Sequence, residues 1–433
     1  MTEFRVFEDL DDLFDWDVIE ETLEETASGL VLVERLTIFD DLTERLDLFS
    51  LDGIRTETEF TDFSGRDGFG VMPWDTIIIE YDAAGELAFR ETVEDSGAIL
   101  TEFFIDGVRS EVQQLDSING PDGAGDEIWD EIVTVYDLQG TIAARTTVFD
   151  DGVLKTETFD GGVRSFTQQL DQFGDAQSWE LIDTSYDQNG RVQERFTLFD
   201  NDTSKLEAFI DGQRFQTFHF DSIEPGVSGT LFGAKSWSTI EISYDGQGRV
   251  AERTTVNDDG SVVVNAFENG VRQLTVKIDG TGGPDGEGAN PWSRIETQYD
   301  ATGQIVVRQT DYDDGRIQIE DFIDGQRVFA LWSDGDGADD GAHDWFHFLT
   351  FYDGSGAIQA TLLDYDDGDA VGTYYDGGTL SGRHILDGDD SEPWLGRAVV
   401  FGQGGAITEE SFYFTEEELP DGFLDLPEVG VFA

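Results

Sequence analysis

Three Asp- and Gly-rich stretches hold the side chains best suited to chemistry. They are Asp116, Asn119, Asp122 and Asp126; Asp279, Asp285 and Glu287; and Asp334, Asp336, Asp339 and Asp340. Carboxylates separated by glycine on a pliable backbone suit Ca²⁺, which gathers about six to eight oxygen ligands. Their spacing is neither that of an EF-hand loop nor that of the tandem glycine-rich nonapeptide of calcium-binding β-rolls. Two expectations stand side by side. Either at least one of these loops binds calcium, or all are solvated tips that keep strand edges apart.

Other chemistry finds less support. Of the four histidines, only His343 and His347 lie close together, beside Asp340 and Asp344. That set would serve a His₂–carboxylate metal site; the simpler reading is two polar residues flanking Trp345. With no cysteine, thiolate sites and disulfides are excluded. Among 94 acidic residues no pair is singled out for glycoside hydrolysis. The expectation is a protein that is not an enzyme.

The elements that must position these loops repeat. Trp16, Trp74, Trp129, Trp179, Trp237, Trp292, Trp345 and Trp394 open successive units, spaced 58, 55, 50, 58, 55, 53 and 49 residues apart. A Tyr-Asp-x-x-Gly turn follows the Trp in six of them, from Tyr81 to Tyr352, and is degraded at residues 23–29. The clearest copy, residues 237–279, reads as four short strands, with apolar and polar residues alternating between Asx-Gly turns. The fold class expected is therefore all-β: tandem four-stranded antiparallel units of about 50 residues. They either continue as one twisted repeat sheet or close as a seven- or eight-bladed propeller. The half unit at 394–414 favours the sheet, because only one strand is evident near the start of the chain to complete a blade. The array spans 16–414, after an arm at 1–15 in which FRVF at 4–7 forms an extra strand. An acidic then apolar tail at 415–433 is expected to be extended, and residues 17–26 are the best helix candidate.

Two arginine columns follow the same period: Arg90, Arg145, Arg195, Arg253 and Arg308; and Arg55, Arg109, Arg164, Arg214, Arg272 and Arg327. One arginine per unit points to a ladder forked onto carboxylates of neighbouring strands; the alternative is binding of an anion or polysaccharide. The Trp and Tyr columns offer a parallel choice, between anchoring each unit to the next and stacking sugar rings.

The net charge of −69 excludes nucleic acid and anionic membranes as partners and favours divalent cations. Aromatic residues are plentiful enough for the chain to fold despite that charge. No run is long and apolar enough to insert in a membrane, and the acidic start is unlike a signal peptide. Export by a leaderless route is expected, with a cytoplasmic location as the alternative.

YDGQGRVAERTT at 244–255 and YDQNGRVQERFT at 186–197 resemble the YD repeat of rearrangement-hotspot and teneurin-type proteins. In that family the repeats are β-hairpins of a long sheet that coils into a shell around a toxin or effector. The resemblance implies hairpin repeats here. The chain departs from the pattern in its unit length, about 50 residues instead of about 20, and in having no separate toxin domain after the array. Its acidic, cysteine-free composition and apolar final residues also resemble type I secretion substrates.

These readings converge on an extracellular structural or adhesive repeat protein, stabilised by Ca²⁺ in its inter-unit loops. Its partners would be divalent cations, and a cell-surface or matrix polymer or further copies of itself. The alternatives are a carbohydrate- or ligand-binding propeller with chemistry in a central pocket, and an acidic cytosolic protein of a halophile.

Overall fold

The computed structural model describes residues 1–9, 15–62, 72–116, 127–172, 177–221, 235–280, 288, 290–334 and 344–424. By packing the chain divides into two bodies, Met1–Gln213 and Arg214–Ala433. Among the described residues there are 31 strands, and the only other regular element is a 3₁₀ turn at Glu416–Glu418.

The third unit shows how sequence becomes structure. Its strands are Trp129–Tyr136, Ile142–Phe149, Val153–Asp160 and Val163–Asp171, each antiparallel to the next. The Tyr-Asp-x-x-Gly segment makes the first turn. Asp137 Oδ1 accepts from the backbone N–H groups of Gln139 and Thr141, both at 2.9 Å, and Gly140 takes φ +78°. An aspartate at that position nucleates the turn by bonding its own backbone, and glycine supplies the left-handed residue. The last turn of the second, fourth, fifth and sixth units is tighter. Asp106–Gly107, Asp211–Gly212, Asn269–Gly270 and Asp324–Gly325 all have positive φ at both residues. That is the type I′ geometry whose twist matches the flanking strands.

Units join edge to edge. In the first body Val108–Leu115 pairs with Trp129–Tyr136, and Val163–Asp171 with Trp179–Tyr186. In the second, Val271–Ile278 pairs with Trp292–Tyr299, and Gln326–Ser333 with Trp345–Tyr352. Propeller blades pack face to face and do not share a strand ladder with the next blade. The sheet is therefore open, and the propeller alternative is set aside.

Three local expectations meet the structure differently. The extra strand near the start exists: Thr2–Glu8 pairs with Trp16–Thr26. Residues 17–26 are strand, not helix, and pair with Gly29–Phe39 through a turn at Ala27–Ser28. Their glutamates favour helix weakly, but a ladder of backbone bonds on both sides outweighs propensity. The tail is not simply extended. It turns at 416–418 and again at 421–424, burying Phe423.

In a single-layer sheet no large apolar core can form, and buried threonines fill the place of one. Thr58, Thr167, Thr184 and Thr217 are all under 4 % exposed. They share one face with the arginine columns, for Arg145 pairs with Thr134 and Glu157, and Arg195 with Thr184 and Glu207. The opposite face leaves residues such as Phe103 and Val135 exposed.

Candidate functional site

The acidic loops begin where the fourth strand of a unit ends. Asp116, Asp279 and Asp334 each occupy the position just after that strand. The other predicted ligands, Asp122, Asp126, Asp285, Glu287, Asp336, Asp339 and Asp340, lie outside the described residues, as do Asn119 and His343. Each described aspartate serves its own loop, and the structure does not bring the three together. Asp279 is buried. Its Oδ2 accepts from Asn290 N at 2.8 Å, and its Oδ1 from Asn290 Nδ2 at 2.8 Å and Gly280 N at 3.1 Å. The Asn290 amides hold its carboxyl below the usual range. Asp116 Oδ2 accepts from Glu127 N at 3.3 Å.

This is one column of clasps that the sequence reading passed over. Asp62 accepts from Met72 N, Asp171 from Gln177 N, Asp221 from Lys235 N and Asp387 from Glu392 N. Loops of very different length are closed by the same residue. The signal was present as an Asp at the end of the fourth strand or just after it, which the loop composition obscured.

Carboxylates of the second turn lie along the same edge. Burial, then Asp130, Asp116 and Asp151, raises the Asp150 carboxyl. In the seventh unit Asp369, Asp387 and Asp389 place carboxylate oxygens within 4.8 Å of one another. Of the described groups this trio comes nearest to a cation seat, and it was not among the predicted ligands.

Part of the two arginine columns forms the expected ladder: Arg55, Arg90, Arg109, Arg164, Arg308 and Arg327 reach carboxylates of neighbouring strands. Glu102, buried on a third strand, receives Arg109 at 2.6 Å and Arg90 at 3.8 Å. Glu320 receives Arg327 at 2.7 Å and Arg308 at 3.7 Å, and Glu157 receives Arg164 at 2.8 Å and Lys155 at 3.2 Å. The arginine of the fourth strand also lies over the tyrosine that ends the next unit's first strand. Arg109 is 5.9 Å from the Tyr136 ring, Arg164 5.6 Å from Tyr186 and Arg272 5.7 Å from Tyr299. The tyrosine of the turn motif thus binds one unit to the last by a cation–π contact.

Two histidines have local roles. His347 Nδ1 is 3.9 Å from Asp364 Oδ2 on the paired strand. His384 stacks on the ring of Phe423 from the tail and contacts its carbonyl.

The ladder face also carries an open groove of about 430 Å³ in the fourth unit. Trp179, Tyr186 and Phe199 supply rings, and Arg195, Lys205 and Glu207 supply charge. Such a surface can hold a planar or ring-shaped ligand and fork onto an anion.

A scan against protein-family models and a search of curated proteins give no match. Among solved structures the chain is similar to a chain of the Photorhabdus luminescens Tc holotoxin pore, at 12 % identity and a TM-score of 0.16. The likeness covers 92 % of this chain but only 23 % of that one.

Proposed function

We propose that this chain is a non-enzymatic structural repeat protein of an extracellular surface or matrix, stiffened by Ca²⁺ along its loop edge. The observation that carries the reading is the join between units. Backbone ladder, buried carboxylate, arginine and tyrosine recur there from one unit to the next, which is what a rigid scaffold needs. The arginines, tyrosines and buried glutamates engage one another, so most of the repeated polar groups serve packing. Calcium is the finer part of the proposal. Acid groups crowd the edge where the loops begin, and a divalent cation relieves their repulsion. Asp116, Asp279 and Asp334 are the described members of the sets proposed to receive it, and the trio around Asp387 joins them.

A calcium titration tests this. After chelation, millimolar Ca²⁺ should raise the melting temperature and change Trp fluorescence, since a Trp follows the acidic loops directly. Equal stabilisation by NaCl at matched ionic strength would instead favour an acidic protein adapted to salt and remove calcium from the account.

A further inference from the structure

The first and sixth units build their second turn in the same way. Leu42 N donates to Phe39 O at 2.9 Å and Gly315 N to Tyr312 O at 3.1 Å, with positive φ at both residues. Asp41 Oδ1 accepts from Thr43 N at 3.0 Å, as Asp314 Oδ1 does from Arg316 N at 3.2 Å. The pairings of Phe60 with Arg45 and of Trp332 with Gln318 put Phe60 and Trp332 at one register position beside that turn. Of the seven full units, only these two carry Phe, Tyr or Trp at both ring positions. The others have Gln114, Gln169, His219, Lys277 and Ile385 in place of Phe60.

The sixth unit covers its two rings with its own cation. Arg316 lies 5.4 Å from the centroids of both Tyr312 and Trp332, and its Nε donates to Asp314 Oδ2 at 2.9 Å. Two π faces and a carboxylate make a seat for a guanidinium.

The first unit has the seat without that occupant. Thr43 stands where Arg316 does, and an open cavity of about 360 Å³ lies against Phe39, Phe60 and Trp74. Trp74 adds a third ring, meeting Phe60 edge-on at 6.4 Å. Asp15, Asp40 and Asp41 also line the cavity. Thr43 Oγ1 and N both donate to Asp41 Oδ1, at 2.7 and 3.0 Å, and hold its carboxyl below the usual range. No described group donates to Asp41 Oδ2, the counterpart of the oxygen that receives Arg316. Arg45 lies 5.5 Å from the Phe60 ring, but it pairs with Asp47 at 3.0 Å and does not line the cavity.

We propose that this cavity, between the first and second units, binds a guanidinium group, that of an arginine side chain on a basic partner protein. The rings take its faces and Asp41 Oδ2 takes its N–H groups, as in the sixth unit, where the group likewise arrives on a polypeptide stem. Asp15 and Asp40 add attraction. The charge of −69 draws a basic partner in and repels an acidic one. This goes beyond the calcium-stiffened scaffold and needs no metal, so either can fail alone.

The test uses the full chain in chelator and follows the Trp74 indole N–H by NMR, assigned through Trp74→Phe. The probes are N-acetyl-arginine methylamide and its lysine and citrulline counterparts. The arginine compound should shift the Trp74 signal saturably, and citrulline, the same shape without charge, should bind roughly tenfold more weakly. Asp41→Asn should cost a similar factor while keeping the turn, because Asn201 makes the same bonds to Thr203 in the fourth unit. Thr43→Arg should fill the seat from within and abolish binding. Arg316→Thr should uncover the second seat, so that the Trp332 indole also responds and the stoichiometry rises from one to two. The proposal is overturned if the lysine or citrulline compound shifts Trp74 as strongly, if Asp41→Asn binds within twofold of the parent, or if Trp74 does not respond. Should Thr43→Arg fail to fold, Arg316→Thr decides, and an unmoved Trp332 signal overturns the equivalence of the two seats. Calcium-dependent melting would stand in any of these cases.

Discussion

Arg327 lies 4.5 Å from the centroid of the Tyr352 ring while donating to the buried carboxylate of Glu320 at 2.7 Å. One guanidinium therefore ties the third strand of its own unit to the first strand of the next. Neutralising the carboxylate should cost more than a surface ion pair. Glu320→Gln is expected to lower stability by about 2 kcal/mol, because two half-exposed arginines lose their anion and the site stays buried. Urea denaturation checks it. A change under a few tenths of that value would mean the ladder is decorative.

Asp300 and Asp353, two of the motif aspartates, should titrate low. Thr302 Oγ1, then the backbone amide of Gln304, holds the Asp300 carboxyl below its usual range, and Ser355 does the same for Asp353. A depressed carboxyl binds fewer protons in the folded state than in the unfolded one. Its contribution is complete above the unfolded value near ~4 and is lost as pH falls through the lower folded value. NMR titration of the Thr302 and Gln304 amides should show midpoints below the ordinary aspartate range. Asp300→Asn, whose amide oxygen also accepts, should keep the turn and abolish the titration.

The two-residue turns separate strain from crowding. Gly270 has φ +82° and open space where a Cβ would go, whereas a Cβ on Gly162 would meet Thr141 Cγ2 at 2.8 Å. Gly270→Ala should cost about 1 kcal/mol through backbone strain alone. Gly162→Ala should cost roughly twice that, because crowding is added. Thermal melts of the pair give the difference, and equal losses would refute the crowding contribution.

The tail is held by a missing side chain. A Cβ on Gly396 would sit 2.5 Å from Leu419 and 3.2 Å from the Phe423 ring. Gly396→Ala should release residues 415–424 from the sheet. Limited proteolysis should then cut that segment at native temperature, as it should in Phe423→Ala, with the melting of the array barely moved. Unchanged resistance in both variants would contradict the docking.

How much of this was legible in the sequence follows from where each signal resides. Strands and hairpin turns were readable because Trp, Tyr-Asp and Asx-Gly recur with a local meaning. The arginine ladder was readable as a column, but its acceptors were not, since Asp47, Glu102, Glu157 and Glu320 are few acids among many. Residues 17–26 misled because helix propensity is local and the pairing of Glu21 with Arg5 and Arg35 is not. The predicted calcium ligands were read from loop composition, which gives no geometry.

The way Val163–Asp171 meets Trp179–Tyr186 has a consequence for how such a chain changes size. Since the seam between neighbours is made of the same bonds as the interior of each, no hydrophobic surface has to be exposed or resealed when four strands are inserted or lost. Gene length then acts as a ruler, setting reach without renegotiating the fold, and a protein of this design can lengthen or shorten across its relatives while every remaining module keeps its neighbours.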